Sequence, residues 1–261
     1  MGFGWGIFGA SFATVLAQLI AFLLCLRSLR RLPFVQLTKA DWKTDPAILL
    51  HLCRLGIPTG LQMSMITLGG MVLQSVLNGF GVVFVAGYTA ANKLYGILES
   101  ASVAFGYAMT AYMGQNRGAR IDAGIRAVLA LSAGFTAAIV TAMLLAGKPR
   151  LGLFLSTEEA GAADALAVAH RYLMVLMAFL LALFVLQAYR SSLQGLGEMT
   201  VPTLSGFAEM LMRMGAALVL PAFIGQSGVF FAEGAAWVCA AALNLVWYYM
   251  RIGKIKREMM Q

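Results

Sequence analysis

Charge is scarce in this chain, and so are the residues that bind metals or crosslink secreted domains. Only 11% of the side chains are charged against 61% that are hydrophobic, and the mean hydropathy is +0.82. A soluble domain so poor in charge would leave too much apolar surface facing water. The three cysteines, Cys25, Cys53 and Cys239, are far apart and give neither zinc spacing nor a disulfide frame. They read as small apolar fillers. The two histidines, His51 and His170, sit near opposite ends of the apolar stretches, which argues against a two-histidine metal site. No nucleophile elbow, Walker loop, HExxH or paired-carboxylate cluster occurs, so nothing points to an enzyme. The alternation of barrel strands is missing too.

What fills the chain instead is a series of apolar runs. Seven stretches, 6–26, 57–79, 83–113, 125–146, 169–194, 201–222 and 229–250, each reach the ~20 residues that a helix needs to cross a ~30 Å hydrocarbon core. The fold class is all-α integral membrane, with about seven transmembrane helices. The first stretch has no basic segment before it, so it reads as a span and not as a signal peptide.

The net charge of +8 could point to nucleic acid, but its distribution points to lipid. Arg27, Arg30, Arg31, Lys39, Lys43 and Arg54 lie between the first two stretches. Arg117, Arg120 and Arg126 lie between the third and fourth, and Arg251, Lys254, Lys256 and Arg257 follow the last. The other side has Lys148, Arg150 and Arg171. Basic loops face the cytoplasm, which puts the N-terminus outside and the C-terminus inside. The expected partners are membrane lipids and no nucleic acid. Short loops suggest a prokaryotic inner (plasma) membrane.

The chain divides into a first span (1–31), a cytoplasmic connection (32–56), a six-span block (57–250) and a basic tail (251–261). Ile48, Leu49, Leu52 and Leu55 recur at helical spacing beside His51 and Arg54, the pattern of a helix lying on the interface. Pro58 suits the first turn of the second span. The 147–168 connection, with Glu158, Glu159 and Asp164, is expected to include a short surface helix. An internal echo links Gly9-Ala10-Ser11-Phe12-Ala13 with Gly234-Ala235-Ala236-Trp237-Val238, each followed by a basic end. It fits two six-helix repeats, with only the last helix of the first present.

Polar residues inside the spans form stripes. In the second span Gly60, Ser64, Thr67, Gly70, Gln74 and Asn78 fall on one face. Its small members can serve helix packing, whereas Gln74 and Asn78 are expected to face a cavity. In the third span Tyr88, Asn92, Tyr95, Glu99, Ser102, Gly106 and Thr110 recur every three or four residues. Polar groups facing acyl chains lose water without replacement, so this face must look at other helices or at a wet vestibule. Lys93 and Glu99 lie near mid-membrane and, six residues apart, point about 120° from each other. Each is either part of a cation or proton pathway or one half of a buried inter-helix clamp. Glu209 and Arg213, one turn apart, can pair with each other, which reads as structural or functional. Arg190, with Gln187 and Gln194, is expected to reach lipid phosphates or a loop carbonyl. Glu233 and Asn244 are weaker cases.

The runs Gly56-Ile57-Pro58-Thr59-Gly60-Leu61-Gln62, Leu73-Gln74-Ser75 with Asn78 and Gly81, Ala86-Gly87-Tyr88-Thr89-Ala90-Ala91-Asn92-Lys93, and Tyr112-Met113-Gly114-Gln115-Asn116-Arg117-Gly118-Ala119 resemble the multidrug and toxic-compound extrusion (MATE) family. Leu193-Gln194-Gly195-Leu196-Gly197-Glu198-Met199-Thr200-Val201-Pro202 looks like a later cytoplasmic connection of that family. The resemblance implies a partial two-lobe antiporter fold: a twelve-helix protein of two six-helix lobes, rocking to expel organic cations and amphipathic compounds against a sodium or proton gradient. It implies that the first span is the sixth helix, that the rest is the whole second lobe, and that an N-terminal lobe is missing. It also implies a departure: Ile66 and Leu183 stand where sodium-coupled members carry acids. Coupling then falls to Glu99 or to the missing lobe, with no other cofactor. Two alternatives remain open: a lipid-linked-sugar flippase, which would want several arginines on the cavity wall, and a non-transporting remnant or assembly partner.

Overall fold

The computed structural model describes residues 6–31, 45–116, 121–151 and 161–259. Seven α-helices follow in order: α1 (Gly6–Leu29), α2 (Pro46–Asn78), α3 (Val82–Gln115), α4 (Ile121–Leu151), α5 (Ala162–Gly195), α6 (Thr200–Ile224) and α7 (Phe231–Met259). A 3-10 turn, Gly225–Phe230, joins the last two. No strand occurs among the described residues. Among the described residues five stretches are long and apolar enough to cross a membrane, and the fifth, Thr200–Gly253, contains most of both α6 and α7. The helix outside this set is α3, whose polar face lowers its hydropathy. The expected all-α membrane class holds.

The chain separates into two compact units, Met1–Leu52 and Cys53–Gln261. In the first, α1 exposes Val15, Leu19, Phe22 and Leu23, a surface suited to lipid or protein and not to water. The division falls inside α2, because that helix begins earlier than its pattern indicates. The separate interfacial helix and the span starting at 57 are one continuous helix. Asp45 caps it, its Oδ1 accepting the Ala47 N–H at 2.8 Å, and Pro46 takes the first helical position. Pro58 is therefore interior. It has no N–H for the Arg54 carbonyl. The Thr59 hydroxyl donates to the Leu55 carbonyl at 2.8 Å, and Thr203 donates to the Pro58 carbonyl at 3.0 Å. Similarly, α5 starts at Ala162, so the end of the 147–168 connection belongs to that span. The expectations for 32–44, 117–120 and 152–160 lie outside the described residues.

In the second unit α3 and α5 pack most intimately, through small residues. A Cβ on Gly195 would stand 2.5 Å from the Thr110 carbonyl oxygen and 2.8 Å from the Met113 Cβ. Only glycine permits that approach. Two residues on, Gly197 adopts φ +82°. The Glu198 N–H then returns to the Leu193 carbonyl and the Gly197 N–H to that of Gln194, both at 2.9 Å. This closure ends α5 and reverses the chain into α6. Tyr172, Phe184, Phe230 and Trp237 fill a core between α5 and α7, and a second cluster around Met113, Leu193, Tyr248 and Ile252 packs at the other end. Gly195→Ala is expected to destabilise by about 1–3 kcal/mol through overpacking. Gly96→Ala, where a Cβ meets nothing within 4 Å, should be neutral. Thermal unfolding in detergent checks the contrast.

Candidate functional site

The inward face of α2 is set by Gln62, Gly69, Leu73 and Leu77, which are buried. Gly60 and Gly70 meet no neighbour, whereas a Cβ at Gly69 would touch Met210 at 3.2 Å. The helix is thus rotated relative to the expected packing stripe. On the exposed side Ser64 and Thr67 return their hydroxyls to Gly60 and Met63 carbonyls. Gln74 donates to Asn78 at 3.0 Å; both are exposed and stand off the main cavity.

That cavity encloses about 540 Å³ within the second unit. α2 contributes Thr59, Met63 and Ile66; α3 contributes Asn92, Tyr95, Glu99, Ser102, Val103, Tyr107 and Thr110. From α5 come Leu183, Gln187, Arg190, Ser191 and Gln194, from α6 Glu209 and Arg213, and from α7 Glu233 and Trp237. The third-span stripe is therefore divided. Its lower members reach the cavity, but Tyr88 is buried, stacked on Tyr172 at 4.3 Å and accepting its hydroxyl proton at 3.1 Å. Gly106 packs against Ser191. Lys93 is exposed and off the lining, while Glu99 is on it, as their angular separation requires. Tyr95 stacks on Trp237 at 5.5 Å on the same wall. The Ser102 hydroxyl is buried without a hydrogen-bond partner.

The main correction concerns charge. Arg190 does not reach lipid phosphates; it is 6% exposed, and its Nη2 pairs with Glu209 Oε2 at 2.6 Å. Glu209 and Arg213 do pair, at 3.0 Å, but not as a self-contained couple. Arg213 also meets Glu233 at 2.8 Å, and its Nη1 donates to the Ile66 carbonyl at 2.9 Å. The result is a ladder of alternating sign, Arg190–Glu209–Arg213–Glu233, running over α5, α6 and α7 and tied to α2. Its four charges cancel. Glu99 is then the lining acid without an ion-pair partner among the described residues. No described group of three or more His, Cys, Asp or Glu could hold a metal ion. Sequence spacing could not join Arg190 and Glu233 to Glu209, because they lie on different helices. The available signal was that each is a charge inside an apolar run.

The fold and site define a multi-pass helical membrane protein with a polar cavity lined by a neutral four-charge ladder and one further acid, Glu99. The MatE family model matches residues 58–219, more than half the chain, and the chain belongs to this family. It is 27% identical over 264 residues to the probable multidrug resistance protein YoeA of Bacillus subtilis (strain 168), covering 97% of this chain and 56% of that protein. It is 39% identical over 119 residues to the probable multidrug resistance protein YpnP of the same organism, covering 44% of this chain and 26% of that one. Among solved structures, a MATE in complex with MaL6 superposes with a TM-score of 0.85 at 22% identity, covering 97% of this chain and 58% of that one. A MOP superfamily transporter from Pyrococcus furiosus gives 0.85 at 23%, with the same coverage. At those identities the superpositions show the fold alone. The chain thus spans little more than half the length of the relatives it matches end to end.

Removing Glu209 leaves Arg190 and Arg213 buried and uncompensated. Glu209→Ala should cost about 3–5 kcal/mol, well beyond Glu99→Ala, which breaks no ion pair among the described residues. Comparing their unfolding midpoints checks this; equal losses would contradict the ladder.

Proposed function

We propose that this chain is the C-terminal portion of a secondary-active efflux antiporter that exports small cationic or amphipathic compounds across the plasma membrane, driven by a sodium or proton gradient. The observation that carries the reading is Glu99: an acid on the wall of a polar cavity, beside Tyr95 and Trp237, with no ion-pair partner there among the described residues. A mid-membrane carboxylate is costly unless it meets water, a cation or a proton, and the two rings add an apolar, π-rich surface for an organic cation. Asn92, Ser102 and Thr110 supply polar groups along the same wall. An N-terminal lobe completes the cavity and allows alternating access, in keeping with the share of the relatives' length that the chain spans. The C-terminus lies in the cytoplasm, as the basic residues require.

The flippase reading gains one feature, since Arg190 and Arg213 both line the cavity. Glu209 and Glu233 neutralise them, so the wall offers an anionic headgroup no excess positive charge.

In the full-length protein with its first lobe, Glu99→Gln should lower drug resistance and vesicle transport by about tenfold or more, equivalent to ~1.4 kcal/mol. Its amount in the membrane should stay unchanged. Undiminished transport would remove Glu99 from the mechanism.

A further inference from the structure

The cavity wall holds more charge than the Glu99 reading uses. Glu209 and Glu233 approach the cavity from two helices, α6 and α7. Two carboxylates drawn together in a low-dielectric wall repel each other and attract a cation. What lies between them is a side chain of the protein itself. Arg213 Nη2 is 3.0 Å from Glu209 Oε1 and 2.8 Å from Glu233 Oε2, and its Nη1 is 2.9 Å from the Ile66 carbonyl oxygen. Three oxygens from three helices thus surround one guanidinium. Such an oxygen set, two carboxylates and a main-chain carbonyl, is what a hard cation takes as ligands. Both oxygens of Glu209 are already engaged, the second by Arg190 at 2.6 Å. Arg213 is only 5% exposed, so the guanidinium is seated in the wall and does not sweep the cavity.

We propose that Arg213 is a built-in cation. Its guanidinium fills a site made by Glu209, Glu233 and the Ile66 carbonyl, closes both acids to soluble cations, and leaves Glu99 as the lining acid open to them. A guanidinium stays protonated in proteins, and a tethered one loses no translational freedom on binding. A sodium ion therefore cannot take the pair without first expelling Arg213 from its three oxygen partners. Any cation dependence of this lobe runs through Glu99. The inference stands on the ladder geometry and not on Glu99 being used in transport, so the two can fail separately.

The test is thermal unfolding of the purified chain in detergent, titrated with sodium chloride against N-methyl-D-glucamine chloride at constant ionic strength. Any sodium-specific shift in the wild type should vanish in Glu99→Gln. Arg213→Met should gain a saturable rise of about 3–6 °C once sodium is roughly tenfold above half-saturation. Arg213→Met/Glu233→Gln should lack that gain. A folded Arg213→Met with no sodium response, or one whose response persists in the double variant, overturns the proposal. If Arg213→Met does not fold, the Arg213-containing Glu99→Gln protein decides: no sodium response supports the proposal, and a response abolished by adding Glu233→Gln overturns it.

Discussion

A charge inside a lipid-embedded bundle is tolerated when an opposite charge stands within hydrogen-bonding distance, and four charges of this chain meet that condition only together. Arg190 answers one oxygen of Glu209, Arg213 answers the other and one oxygen of Glu233, and Arg213 Nη1 donates to the Ile66 carbonyl. Because the members stand on different helices, satisfying them fixes α5, α6 and α7 against one another and brings α2 alongside. Apolar packing in lipid has little directional preference. A shared network of charged hydrogen bonds supplies one.

The ladder also shapes the cavity. It lines one wall with groups of both signs whose sum is zero, and the polar face of α3 lines the other. The close approach at Gly195 brings α3 against α5 and carries Ser102 and Thr110 to the lining. Tyr95 and Trp237 close the space with aromatic surface. The outer sides of α4 and α6 expose Leu131, Leu211 and Leu218, apolar residues that would be misplaced on a soluble protein. One bundle thus turns hydrocarbon outward and keeps its unpaired acid inward.

The spans, the membrane class and the family were legible because they depend on local composition and on contiguous motifs. Helical angle separates Glu99 from Lys93, but Lys93, expected in a cation pathway or a buried clamp, is exposed and off the cavity lining. The face of α2 did not, because its exposed Ser64 and Thr67 satisfy themselves on their own backbone and so imitate an inward polar stripe. The start of α2 was misplaced because Pro58 looks like a first-turn proline, while Asp45 and Pro46 already form a cap upstream. Arg190 was misread because proximity to a helix end says nothing about which side the side chain faces. Tyr88 belongs to the same periodic stripe as Glu99, yet Tyr172 fills the space before it. Long-range pairing, not periodicity, decides these positions.

The account depends most on the cavity holding water within a bundle otherwise wrapped in lipid. The direct measurement is the reaction of a small hydrophilic, membrane-impermeant thiol reagent with single cysteines in a cysteine-free protein in membranes. Val103, Tyr107 and Thr110 report the cavity, and Leu131, Leu211 and Leu218 report the exposed apolar outside. The account predicts that the first three react and the last three stay inert. Six equally inert positions would show that no water reaches Glu99, and the account would be wrong.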